Sequence, residues 1–161
     1  MFEIRKYTEA DKEQIWEIIK FVISAGNSFT LSPNSAREEM LADWCSPEKH
    51  IYVAVSENKV VATFYIKANQ PGLGSHVANG SYMVSPEARG KGIGRKIGEF
   101  SIQEAKRLGY HAMQFNFVVK SNEKAVRLWR SLGFEIIGEI PEAFNHIKNG
   151  LTSAYVMYRK L

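Results

Sequence analysis

Cysteine is almost absent: Cys45 is the one thiol in 161 residues. That excludes an internal disulfide and any metal site built from several thiolates. No apolar run approaches the ~20 residues that a membrane-spanning helix needs. Residues 1–8 lack the basic-then-apolar layout of a secretion signal, so a cytoplasmic location is expected, with no membrane partner. Internal repeats, low-complexity tracts and linkers are missing too, and one domain over 1–161 is expected. Nor is there much charge of one sign. The net charge is +4, too small an excess to identify a nucleic-acid binder. There is no basic tail, zinc-finger spacing or RNA-binding aromatic signature, so no nucleic-acid partner is expected. His50, His76, His111 and His146 are scattered without metal-ligand spacing, and no metal is expected.

What is present reads as a regular alternation of short elements. A strand covers 2–7, and Thr8 with Asp11 forms a capping box that opens a helix. Ile15, Ile18, Ile19 and Val22 give that helix one apolar stripe. Ser35 with Glu38 reads as a second capping box, opening a short helix that runs to about Cys45. Strands 51–55 and 60–66 flank Glu57-Asn58-Lys59 as a hairpin, and 69–74 is a loop. Strand 81–84 stops at Ser85-Pro86. The next helix carries Ile93, Ile97, Phe100 and Leu108 on one side. Lys106 and Arg107 in its last turn, then Gly109, mark its end. Strand 113–119 is followed by a helix over 122–132 that shows Ala125, Val126, Trp129 and Leu132 on one face. Strands 134–140 and 154–159, joined by a loop over 141–152, complete the chain. The order β-α-α-β-β-β-α-β-α-β-β predicts an α+β class, a mixed sheet with helices on its faces.

The densest basic cluster, Arg89, Lys91, Arg95 and Lys96, coincides with Arg89-Gly90-Lys91-Gly92-Ile93-Gly94. Alternate glycines let successive N–H groups curl inward around an anion. The loop feeds the first turn of a helix, whose unpaired N–H groups and dipole also favour negative charge. The parts describe a diphosphate site. A Walker loop needs Ser or Thr after its Lys, but Gly92 follows Lys91. A dinucleotide fingerprint needs a third glycine, but Gly92-Ile93-Gly94 runs into Arg95-Lys96-Ile97.

The pattern left is Arg/Gln-x-x-Gly-x-Gly/Ala, carried here by Arg89, Gly92 and Gly94. With Met83-Val84-Ser85-Pro86-Glu87-Ala88 ahead of it, it resembles the acyl-CoA motif of the GNAT N-acetyltransferase superfamily. A second block from Asn122 to Phe134 and the opening Ile4-Arg5 with Asp11 are similar to that family as well. The resemblance covers nearly the whole chain and is strongest over 79–140. It implies the acyl-CoA N-acyltransferase architecture: a mixed, mostly antiparallel sheet of about seven strands with helices on both faces. That sheet would splay between the strands at 81–84 and 113–119. It also implies acetyl-CoA as co-substrate, no metal, a small-molecule amine as acceptor (an amino acid, an amino-acid analogue or a polyamine-like amine), and dimers as known in the family. By resemblance, backbone groups of Met83 and Val84 bond the pantetheine arm. Main-chain N–H groups from Arg89 through Gly90, Lys91, Gly92 and Ile93 to Gly94 hold the diphosphate, with Arg95 at the rim. Asn122 reaches the CoA chain, caps its helix, or does both.

Attack of an amine on a thioester needs a deprotonated amine, a donor to the developing oxyanion and protonation of the leaving thiolate. A backbone N–H near Met83 or Val84 is the expected oxyanion donor. The family often places a tyrosine where Trp129 stands, and an indole N–H can donate but has no accessible ionisation. Trp129 therefore either stabilises sulfur or simply packs. Tyr155 leads the remaining candidates for a proton donor, followed by Tyr158 and Tyr82. Many relatives carry a glutamate on the strand that here reads Asn79-Gly80-Ser81-Tyr82-Met83-Val84, so the alternatives are a water ordered by Asn79 or Ser81, or a substrate that arrives partly neutral. Asn116, between Phe115 and Phe117, is expected as a buried amide that binds the acceptor beside the thioester, or that bonds nearby backbone. Phe29, Glu142, Phe144 and His146 are expected around the acceptor mouth. Two other readings stay open: a protein N-terminal or lysine acetyltransferase, and an acyl-CoA-binding domain without catalysis.

Overall fold

The computed structural model describes Met1–Leu161. Strand β3 (Lys59–Ala68) is buried from Val60 to Phe64, on both faces. Continuous burial of that kind is possible only in mid-sheet, with a layer on each side. The other strands are β1 (Glu3–Lys6), β2 (His50–Ser56), β4 (Val77–Val84), β5 (Ala112–Val119), β6 (Glu135–His146) and β7 (Gly150–Lys160). They form one seven-stranded sheet in the order β1-β2-β3-β4-β5-β7-β6. Every neighbouring pair is antiparallel except β4 with β5.

Each face has its own core. Helices α1 (Lys12–Ser24) and α2 (Arg37–Trp44) cover one face with Ile15, Ile19, Ile23, Met40 and Trp44, packed on Val53 and Met83. Helices α3 (Ile93–Arg107) and α4 (Glu123–Ser131) cover the other with Ile97, Ala105 and Trp129, packed on Phe64, Met113 and Phe115. A buried polar chain runs through the first core: the Trp44 indole N–H donates to Thr63 Oγ1 (3.0 Å), which donates to the Tyr52 carbonyl (3.1 Å). Thr63 is fully buried and tolerated because both its bonding needs are met. No helix is long and apolar enough to cross a membrane.

The element order follows the sequence reading, with three differences. Ser35 does not cap α2; its hydroxyl turns back to the Ser32 carbonyl (2.7 Å), and Ala36 holds the cap position. Strand β4 begins at Val77 rather than 81. The stretch 141–152 is not a loop: β6 and β7 run on as a long hairpin that turns at 147–149. Pro141 is accepted there because β6 is an edge strand and its pairing slips between Ile140 and Phe144, with Glu142 at φ 51°.

The capping box at Thr8 is formed, and it does more than cap. Asp11 takes the Thr8 N–H (2.7 Å) and both guanidinium nitrogens of Arg5 (2.8 and 2.9 Å), tying β1 to the start of α1. Its side chain is 6% exposed. The Arg5 bond, followed by the bond from Thr8, holds its carboxyl below the usual carboxylate range despite burial. A carboxyl depressed in the folded state contributes stability above its unfolded value, ~pH 3.9, and loses it as pH falls toward the folded one. Asp11→Asn is expected to lower unfolding free energy by about 2 kcal/mol at pH 7. In urea titrations its loss of stability below ~pH 4 should be shallower than the wild type's. Parallel pH curves for the two proteins would show that Asp11 carries no such linkage.

Candidate active site

The site begins where two strands part. The Ser85 N–H donates to the Val61 carbonyl (2.9 Å) and the Asn69 N–H to the Val77 carbonyl (2.8 Å). With Met83 opposite Thr63, alternation turns the main-chain groups of Val77, Asn79, Ser81, Met83 and Ser85 toward β3. Those of Gly80, Tyr82 and Val84 face β5. The β4–β5 ladder has only two register pairs, Val77 with Ala112 and Ala78 with Met113. Beyond them the Gly80, Tyr82 and Val84 groups face an opening. Asn79 closes the ladder: its Nδ2 donates to the Gln114 carbonyl (2.9 Å), the acceptor that the next rung would give to the Gly80 N–H.

This alternation corrects one expectation. Met83 cannot offer its N–H to the opening, because it is committed to β3, and its side chain is 1% exposed under α1. Val84 and Tyr82 carry the free donors.

The opening is a cavity of about 360 Å³. Its walls come from β4 (Tyr82, Val84), β5 (Phe115, Phe117), α3 and α4, with Ser28, Phe29 and Thr30 of the 25–36 loop at one end. It also meets a second pocket of about 650 Å³ around the glycine loop, sharing Ser28, Val84, Gly94 and Asn122. Gly90 (φ 76°) and Gly92 (φ 78°) lie in left-handed backbone that side chains rarely adopt. Gly92 is the cap residue of α3, so the first N–H groups of the helix point into this pocket. Arg89 lines it, its guanidinium resting over the Phe21 ring at 5.1 Å.

Two basic residues expected at the loop do not line the pocket. Arg95 lies across to α4, donating to Ser131 Oγ (2.7 Å) beside Glu99. Lys91 also stays off the wall. The residues missed for this pocket are Lys124 in the first turn of α4, Ser121 and Asn27; His146, expected at the acceptor mouth, also reaches it from the far hairpin. Nothing in the local spacing marks Lys124. Asn122 lines both cavities while its side chain accepts the Ala125 N–H (3.4 Å), so the cap and the cavity wall are one residue.

Among the expected catalytic side chains, Trp129 and Tyr82 line the central cavity and Tyr155 does not. Trp129 is 7% exposed and stands on the cavity wall. Gly98 makes room for it: a Cβ there would stand 3.1 Å from Trp129 Cζ3 and 2.8 Å from Leu132 Cδ1. Tyr82 donates its hydroxyl to Ser101 Oγ (2.7 Å), and burial pushes its pKa upward, so it is held protonated and turned to α3. The Lys120 ammonium lies 5.7 Å from the centre of the Tyr155 ring, outside the cavity.

Asn116 is not buried. It is exposed, donating to Asn69 Oδ1 (2.6 Å) and accepting from Gln114 Nε2 (3.0 Å), because a bulge between Phe115 and Val118 turns it outward. Phe29 and Ser81 line the central cavity, whereas Glu142 and Asn116 line neither it nor its neighbours. Cys45 sits away from these cavities, and burial pushes its thiol pKa up.

A third pocket, about 470 Å³, continues from the first through Phe29 and Thr30. Its other wall is the end of the β6–β7 hairpin: Ala143, Phe144, Asn145, His146 and Ile147. The hairpin tip is pinned to the loop after α1 by the Ile147 N–H on the Gly26 carbonyl (3.1 Å). His146 Nδ1 accepts the N–H groups of Lys148 (3.0 Å) and Asn149 (3.2 Å), which fixes the turn and leaves Nε2 as the donor. Three connected cavities thus run from the glycine loop, through the sheet, to a pocket bridged by the hairpin.

Known proteins share this arrangement. A sequence model described as the acetyltransferase (GNAT) family matches residues 13–134. The N-acetyltransferase aca1 of Schizosaccharomyces pombe is 39% identical over 102 residues, which cover 62% of this chain and 48% of that protein. The chain spans about half the length, or less, of several curated relatives that it matches. A GCN5-related N-acetyltransferase from Kribbella flavida superposes with a TM-score of 0.95 at 38% identity, over 99% of this chain and 98% of that one. A GNAT superfamily phosphinothricin acetyltransferase from Sinorhizobium meliloti, solved in complex with AcCoA, superposes with a TM-score of 0.86 at 25% identity. That match covers 99% of this chain and 88% of its counterpart. With its family match, its splayed sheet and its glycine loop, the chain belongs to the GNAT acetyltransferase family.

Proposed function

We propose that this chain moves acetyl from acetyl-CoA directly to the amine of a small molecule. The observation that carries the acceptor class is the Ile147–Gly26 bond. It bridges the acceptor end into a pocket, where a peptide would need an open groove. The phosphinothricin-acetyltransferase neighbour, a small-molecule enzyme by name, supports the same reading.

The residues fit acetyl-CoA in order. Arg89, Lys124 and the loop N–H groups meet the diphosphate, and no acidic side chain lines that pocket. The free main-chain groups of Tyr82 and Val84 pair with the pantetheine arm as a missing strand would. Acetyl-CoA supplies the thioester; the amine nitrogen forms the new C–N bond, the C–S bond breaks, and the amine proton passes to solvent. A free N–H of β4 is placed to receive the carbonyl oxygen. The Trp129 indole, on the cavity wall, donates its N–H to the leaving sulfur without transferring a proton. No covalent acyl-enzyme is formed, since no serine or cysteine with a base partner lines the cavity.

Gly92→Asp is expected to weaken acetyl-CoA binding by at least about 100-fold in calorimetry, with an unchanged circular dichroism spectrum. It forces a side chain into left-handed backbone and sets a carboxylate against the diphosphate; retained affinity would move the cofactor elsewhere. Release of free thiol from acetyl-CoA should be seen with small amines and not with peptides carrying a free N-terminus or lysine. Turnover confined to peptides would overturn the acceptor class, and tight acetyl-CoA binding with no turnover on any amine would overturn the transferase reading.

A further inference from the structure

The acceptor end of the site carries no charged side chain. None of the 17 residues around the central cavity is Asp, Glu, Lys, Arg or His. Of the 11 around the pocket under the hairpin, the one ionisable side chain is His146. Its Nδ1 is occupied by two backbone N–H groups, so it presents a donor, not an acceptor. The pocket's apolar walls are Phe29, Leu31, Phe144 and Ile147. Phe144 is 6% exposed and fixed in the sheet, with its ring 6.2 Å from that of Phe117 beside the central cavity. The diphosphate pocket, which shares His146, is lined in addition by Arg89 and Lys124.

An ammonium group brought between these walls loses part of its water and gains no carboxylate, a cost that it avoids by giving up its proton. For the reacting nitrogen this is an advantage. Desolvation favours the neutral amine, which is the nucleophile, and it acts where β4 offers no glutamate. For any second ammonium on the acceptor it is a penalty without return. Resting on the transferase reading, we infer that the acceptor is a compact monoamine: one reactive nitrogen on an uncharged, mainly apolar body seated between Phe29, Leu31, Phe144 and Ile147. Polyamines and other polycationic amines are rejected by the missing carboxylates rather than by size.

The test pairs 3-methylbutylamine with 1,5-diaminopentane, scored by free-thiol release from acetyl-CoA with wild-type protein and a Thr30→Asp variant. Thr30 is exposed and sits at the junction of the two cavities, so the change adds a carboxylate without disturbing the core. The wild type should show kcat/KM at least about 10-fold higher for the monoamine. Thr30→Asp should narrow or reverse that ratio while acetyl-CoA affinity, measured by calorimetry, stays unchanged. A wild-type preference for the diamine, equal rates for the pair, or a ratio untouched by Thr30→Asp would overturn the inference while leaving the transferase standing. No thiol release with either amine, or with any other, would overturn both.

Discussion

Everything in this site depends on a ladder that stops after two rungs. Antiparallel pairing to β3 commits the main-chain groups of Ser81, Met83 and Ser85, while the parallel pairing to β5 ends at Ala78 with Met113. The groups of Gly80, Tyr82 and Val84 are therefore left in the middle of a sheet without a strand to meet. Unpaired backbone groups in the interior are costly, and native structures supply them with a partner. Asn79 satisfies the first vacancy with its own amide on the Gln114 carbonyl. The rest stays open to a ligand of extended shape with amides of its own. The bulge between Phe115 and Val118 curves β5 away and keeps it there.

The consequences spread outward from that gap. Helices α3 and α4 can reach it from one face because Gly98 lets the Trp129 ring settle against α3. The glycine loop delivers the α3 N-terminus to one end of the gap, and the β6–β7 hairpin closes over the other through Ile147 and Gly26. Charge divides along the same axis. The pocket at the glycine loop is lined by Arg89 and Lys124 with no acidic side chain, the pocket under the hairpin has neither, and His146 lines both. Such a division favours an anion at the first and, under the proposed function, the neutral form of an amine at the second.

Much of this was legible in the sequence because it is local. The capping pair Thr8 and Asp11, the stripe Ile15–Ile18–Ile19–Val22 and the glycines at 90 and 92 each encode geometry within a few residues. Non-local features were not legible. Pro141 suggested a loop, but edge position and a register slip made it part of a hairpin. Asn116 suggested a buried amide, but a bulge two residues long turned it out. The choice of Val84 or Tyr82 over Met83 needs the pairing register with β3, which no spacing within β4 reveals. Arg95 turns from the loop and Lys124 lines its pocket for the same reason: which cation faces the loop is set by how α3 and α4 pack, with Arg95 held on Ser131.

The central claim is that β4 offers alternate backbone donors to acetyl-CoA, and amide hydrogen exchange resolved by residue tests it most directly. In the free protein the Met83 amide should exchange slowly and the Tyr82 and Val84 amides quickly. Saturating acetyl-CoA should slow at least one of Tyr82 and Val84 markedly and leave Met83 unchanged. Slow exchange at both Tyr82 and Val84 before ligand is added, or no change at either afterwards, would contradict the account.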